Sequence, residues 1–203
     1  KTRTANTANT MMSIHTRFVL RRKEYWLCLH PSRWRAHQKE WLQIQKKEVI
    51  TTLTATLIPA TGGSTVTLQT RDLDGDGPND PVISVSGALA SNTIYSGTLE
   101  LLNETESPAE PINAEIEAED DEHQFFYQIT NSLATFEYAD FDGDSNPIGL
   151  EFTVTTSATL GTGTLTITLR HEPSKSATGV SDGDITNAGG ETDIQAVFSI
   201  SVE

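Results

Sequence analysis

From residue 49 onward, apolar side chains fall at every second position in short runs rich in Thr, Val, Ile, Leu and aromatics, bounded by clusters of Gly, Pro, Asn and Asp. Side chains of a strand point alternately to opposite faces, so this pattern predicts half-buried strands separated by turns. Nine strands are expected, over residues 49–58, 65–71, 82–88, 93–102, 123–130, 133–139, 148–156, 163–171 and 193–202. In the last run Ile194, Ala196, Phe198, Ile200 and Val202 alternate with mostly polar neighbours, and Tyr95, Gly97, Leu99 and Leu101 likewise share one face. Between 111 and 122 the two-residue period lapses. There Ile112 and Ile116, four apart behind Pro111, predict one short acidic helix. Strands do not alternate with helices, which argues against a parallel α/β domain. The expected fold is all-β: an antiparallel β-sandwich of about nine strands with one short helix, preceded by an irregular or partly helical basic segment.

The chain has 203 residues and a formal net charge of -14, but the charge is divided. Residues 1–47 hold eleven Lys and Arg against two acids, whereas 48–203 hold three against 26, so the segments carry +9 and −23. All three Trp, both Met and the single Cys28 lie on the basic side. The expected domains are therefore a basic segment, 1–47, and an acidic β-sandwich, 48–203. Three readings of the basic segment stay open: an arm for phosphate or anionic lipid around Arg17, Arg21, Arg22, Lys23, Tyr25 and Trp26; a weakly helical docking segment; and sequence foreign to the domain. As a secretory signal it fails, because Phe18, Val19 and Leu20 are too short for an apolar region of ~7–15 residues. Nucleic acid is not an expected partner of 48–203, since affinity for phosphate comes from Lys and Arg. One Cys excludes a disulfide framework, and no run approaches the ~20 apolar residues of a transmembrane helix.

The stretches EVITTLTATLIPA, RDLDGDG, SGTLELLNETE, DEHQFFY, NPIGLEFTVTT, LTITLRHEP and ITNAGGETDI resemble a group of uncharacterised secreted lipoproteins of Bacteroidota, often called type 1 periplasmic binding fold superfamily proteins. The resemblance covers residues 48–203. It implies an exported, envelope-tethered protein that meets a protein or small ligand at the cell surface. The strand pattern, however, predicts a sandwich and not the two-lobed α/β structure which that name describes. A signal peptide and a lipidated cysteine would be expected ahead of Glu48, where this chain carries a basic, Trp-containing stretch.

Three acidic loops are candidate cation sites. Asp72, Asp74, Asp76, Asn79 and Asp80 alternate with glycines, so several oxygens can converge on a hard ion such as Ca²⁺, which takes about 6–8 oxygen ligands. The twelfth position from Asp72 is Ile83, so the bidentate Glu of an EF-hand is missing. Asp140, Asp142 and Asp144 form a second such loop with Glu151 twelfth, although a hairpin turn explains the same residues without a metal. Asp182, Asp184, Asn187, Glu191 and Asp193 form a third patch. Separately, His123 ends the predicted helix and His171 ends a strand. If the fold brings them together, Glu119, Glu122, His123, His171 and Glu172 offer a mixed nitrogen and oxygen set for a transition metal.

No nucleophile elbow or dinucleotide fingerprint appears, so the chain is not expected to be an enzyme. The leading expectation is a Ca²⁺-stabilised envelope or extracellular sandwich that acts by binding. The alternative is a metal- or ligand-delivery lipoprotein beside an outer-membrane transporter, using the histidines or an aromatic patch at Phe125, Phe126 and Tyr127. In that patch, alternation points Phe126 into the core and Phe125 with Tyr127 outward.

Overall fold

In the strand Thr52–Pro59 (β1) every second side chain, Leu53, Ala55 and Leu57, is buried, as a two-residue period requires of a strand with one face on a core. A computed structural model describes residues 49–75 and 77–203; the basic segment 1–47 and Asp76, with the expectations placed on them, lie outside the described residues. The remaining strands are β2 (Val66–Arg71), β3 (Val82–Val85), β4 (Ile94–Asn103), β5 (Glu110–Pro111), β6 (His123–Ile129), β7 (Ala134–Tyr138), β8 (Glu151–Thr156), β9 (Gly161–His171) and β10 (Glu191–Val202). One helix, α1 (Asn113–Ala118), lies between β5 and β6.

All strand pairs are antiparallel. One sheet runs β3-β2-β1-β4-β8-β7 with β5 also on β4, and the other runs β10-β9-β6. Leu53, Leu99, Leu101, Phe152 and Val154 from the first sheet share one hydrophobic core with Phe125, Leu165, Ile167, Leu169, Phe198 and Ile200 from the second. Residues 49–203 thus form an antiparallel β-sandwich. On β4, Gly97 makes room for the ring of its cross-strand partner on β8: a Cβ there would stand 2.4 Å from the Phe152 ring.

The structure adds a tenth strand to the nine expected. β5 has two residues, paired with Leu102 and Asn103, too few to display a period. The strand expected from 148 begins at Glu151 because Gly149, at φ 90°, breaks the extended backbone. α1 occupies the middle of the predicted 111–122 segment and buries Ile116 in the core, with Ile112 beside it. The aromatic patch is corrected. Phe125 faces the main core and Phe126 the opposite side, where Val180 and Ala188 of the loop between β9 and β10 cover it. Both are fully buried, because both faces of β6 are covered at that point. Among the described residues no helix is long and apolar enough to cross a membrane.

Three strands are laced together at their ends by Glu104. Its carboxylate accepts two hydrogen bonds from the Arg71 guanidinium, at 2.8 and 2.6 Å, and one from Thr52 Oγ1 at 2.5 Å. The bonds from Arg71 and Thr52 pull the Glu104 carboxyl from 4.5 to about 2. A carboxyl depressed in the folded state binds fewer protons there than when unfolded, so its stabilisation is present above pH 4.5 and fades as pH falls towards about 2. Glu104→Gln is therefore expected to lower the thermal midpoint at neutral pH modestly, with the difference from the parent vanishing near pH 2. The effect should shrink in high salt, because the pair is partly exposed. Thermal melts across pH 2–7 at two ionic strengths check this.

Candidate metal centre

The three acidic loops resolve into different local chemistries. In the loop between β2 and β3, Asp72 Oδ1 accepts from the backbone N–H of Gly75 at 2.9 Å, and Asp74 Oδ2 accepts from Asn79 Nδ2 at 2.6 Å. These are turn-stabilising bonds of exposed side chains. Gly77 lets the Asp74 side chain fold across the loop, since a Cβ there would meet its carboxylate at 2.4 Å.

The second loop is a hairpin-like turn inside the β7–β8 connection, with Ser145 in the left-handed region at φ 66° and Phe141 bridged to Pro147. Asp140 gives its two oxygens to the backbone N–H groups of Gly149 and Leu150, at 2.8 and 2.9 Å. Asp142 accepts from the N–H of Asn146 at 2.8 Å and of Asp144 at 3.0 Å, and its other oxygen meets Lys175 Nζ at 3.0 Å. Asp142 thus has a cationic partner within the chain, the Lys175 ammonium group. Glu151 sits on β8 opposite Thr98, exposed and turned away from the loop. In the third patch Asp184 caps a short 3-10 turn, Ile185–Asn187, by accepting from the N–H of Thr186.

The histidines do come together. β6 begins at His123 and β9 ends at His171, and the two are direct partners across the strand pair. Each lies two residues from a core side chain, Phe125 and Leu169, so both rings project from the inner face of the small sheet at the end of the core. Their centroids are 4.9 Å apart and the rings are nearly parallel, at 16°. β10 starts opposite His171 through Glu191, then slips register between Thr192 and Ile194. Asp193 is the extra residue of that bulge. Bulges re-aim side chains, and this one directs Asp193 at the histidines while Ile194 resumes core packing. Asp193 Oδ2 lies 3.8 Å from His123 Nε2, and both side chains are buried.

One candidate ligand atom each from His123, His171 and Asp193 lies within 4.8 Å of the others. A zinc ion with bonds of ~2.0–2.1 Å places tetrahedral ligand atoms about 3.3 Å apart, and the 3.8 Å between His123 Nε2 and Asp193 Oδ2 is longer than that. The His123 ring is held by the main chain of α1's end. Its Nδ1 stands 3.1 Å from the carbonyl oxygen of Glu119, which only accepts, so Nδ1 carries a proton and Nε2 is the atom on the side of Asp193. That carbonyl lies at the C-terminal cap of α1. A second group overlaps the first: Glu122, His171 and Glu172 also bring one ligand atom each within 4.8 Å, with Glu122 Oε2 3.6 Å from His171 Nε2. The backbone N–H of Glu172 donates to the carbonyl of Glu122 at 2.7 Å and ties the two acids together.

Four of the five residues expected from the sequence, Glu122, His123, His171 and Glu172, therefore place ligand atoms in these groups. Glu119 takes part through its main-chain oxygen, which fixes the His123 ring. Asp193 was missed as a partner of the histidines because it reads as the end of an acidic loop. Its place at the first turn of a strand whose neighbour ends in His171 is the signal that points to it. The cleft of about 290 Å³ between β6 and β7, lined by Tyr127, Phe136, Tyr138 and Asp182, holds no base for chemistry at neutral pH in its phenols. Burial pushes Tyr138 up to about 12 and Tyr127 well above its usual value. In comparisons with known protein families, curated proteins and solved structures, the chain matches none.

Proposed function

We propose that this protein is a non-catalytic envelope or extracellular β-sandwich that binds a divalent transition metal of the zinc class at His123, His171 and Asp193, serving delivery to an outer-membrane transporter. The observation that carries the reading is the proximity of candidate ligand atoms from two imidazoles and a buried carboxylate on three adjacent strands; a modest turn of the stacked rings lets both face one ion. Imidazole nitrogen suits Zn²⁺, Cu²⁺ or Ni²⁺, whereas Ca²⁺ takes oxygen ligands alone. The envelope location rests on the resemblance of residues 48–203 to exported lipoproteins. Ca²⁺ on the loop of Asp72, Asp74 and Asp80 is the competing reading, and the same titration separates the two.

The test is the thermal midpoint of the full chain after EDTA treatment, with Zn²⁺ or Ca²⁺ added back. An ion present at 100 times its dissociation constant stabilises by about 2.7 kcal/mol, which raises the midpoint of a domain this size by roughly 5–11 °C. Zn²⁺ is expected to produce this rise, and His123→Ala and Asp193→Asn to abolish it. A response to Ca²⁺ alone, lost in Asp74→Ala, would transfer the metal to the β2–β3 loop and refute the histidine site.

A further inference from the structure

The two ligand groups share His171 and differ sharply in depth. In the inner group the side chains of His123 and Asp193 are 0% and 1% exposed, while His171 is 21% exposed. In the outer group Glu122 is 46% exposed and Glu172 is exposed as well. His171 is thus the one member of the inner triad whose side chain has appreciable surface towards solvent. An aqueous divalent ion holds its waters tightly, and exchanging them all at once for buried ligands is slow. Replacing them in two stages, first by exposed carboxylate oxygens and then by buried nitrogen and oxygen, divides that barrier.

Resting on the metal-binding reading above, we propose that Glu122, His171 and Glu172 form a landing site from which the ion passes to His123, His171 and Asp193, with His171 remaining a ligand throughout. The acidic domain draws cations towards the landing site. Glu172 is held in place by an unusual backbone: φ is 50°, in the left-handed region, and its N–H is bound to the Glu122 carbonyl. That geometry ties the two main chains together, so both carboxylates start from fixed points within reach of the shared ring. Because the outer site lies on the path in both directions, it governs how fast metal enters and how fast it is surrendered to an acceptor, as delivery requires.

The experiment is stopped-flow loading of the full-length, metal-free protein with Zn²⁺, followed by removal of Zn²⁺ with a chromogenic chelator, for the parent, Glu122→Gln/Glu172→Gln and His123→Ala. The relay predicts that the double variant loads and releases at least tenfold more slowly while its equilibrium affinity stays within about threefold of the parent. His123→Ala should keep fast, weak binding and lose the slow, tight phase. If the double variant instead loads more slowly but releases faster, the acids act as ordinary ligands or as an attractive field, and the relay is wrong. Unchanged rates in both directions would also overturn it. Failure of the parent itself to bind Zn²⁺ would overturn the metal-binding reading together with the relay, so the two failures are distinguishable.

Discussion

Lys175→Met is expected to reduce the stability of the folded chain by about 3–5 kcal/mol, the cost of removing one member of a buried ion pair. Lys175 belongs to the segment after β9, and its side chain is 5% exposed against 1% for Asp142. An ammonium group has three donors, and here all three find acceptors: Asp142 Oδ2 at 3.0 Å, the carbonyl of Pro147 at 3.1 Å and that of Asp120 at 2.5 Å. One side chain thereby joins the β9–β10 loop to the β7–β8 turn and to the segment ahead of β6. Methionine matches the length of the stem but leaves a buried carboxylate and two carbonyls without their donor. Lys175→Met/Asp142→Asn should recover part of the loss, since the amide keeps an oxygen for the N–H groups of Asp144 and Asn146.

Burial works to raise the Asp142 carboxyl, but the bonds from Asn146 and Lys175 outweigh it and hold the group below its usual value of 3.8. The pair's contribution is therefore complete above pH 3.8 and is lost as pH falls through the lower folded value. Urea unfolding at pH 7 measures the effect. A loss under 1 kcal/mol for Lys175→Met would show that water reaches the pair.

Gly190→Ala is expected to cost about 2–5 kcal/mol and, on the metal site proposed above, to weaken Zn²⁺ binding at least tenfold. Gly190 has φ 66°, where an L side chain carries roughly 1–2 kcal/mol of strain. It also packs directly on the end of β9: a Cβ would stand 2.1 Å from the His171 carbonyl oxygen and 2.9 Å from the Glu172 backbone. Relieving that overlap adds about 1–3 kcal/mol. It also moves the first residues of β10 away from His171, and those residues carry the bulge that aims Asp193. Gly189→Ala is the internal control. Its φ is 62°, yet a Cβ there meets nothing within 4 Å. It should show the backbone strain alone and bind Zn²⁺ as the parent does. Chemical unfolding and Zn²⁺ competition titrations on both variants separate loss of fold from loss of site; equal behaviour of the two would contradict the close approach.

The sequence by itself determined the fold class and the buried faces of most strands, though not of β6, where both faces are covered and alternation chose Phe126 instead of Phe125 for the main core. Alternation is a local property, and in β10 Ala196, Phe198, Ile200 and Val202 are buried as their spacing requires, as are Tyr95, Leu99 and Leu101 in β4. The helix α1 was legible too, from Ile112 and Ile116 four residues apart. The two histidines were legible as strand-end residues with acids beside them, but their meeting was conditional on the pairing of β6 with β9. Only the tertiary structure decided that pairing, along with the one-residue register slip that turns Asp193 towards them. It also decided that the cation meeting Asp142 is Lys175, 33 residues away. The physical reason is that period-2 burial states which face of a strand is apolar and leaves open which strand lies beside it. Ligand sets and buried ion pairs depend on neighbours, on register and on bulges, which are settled when the two sheets close over a common core.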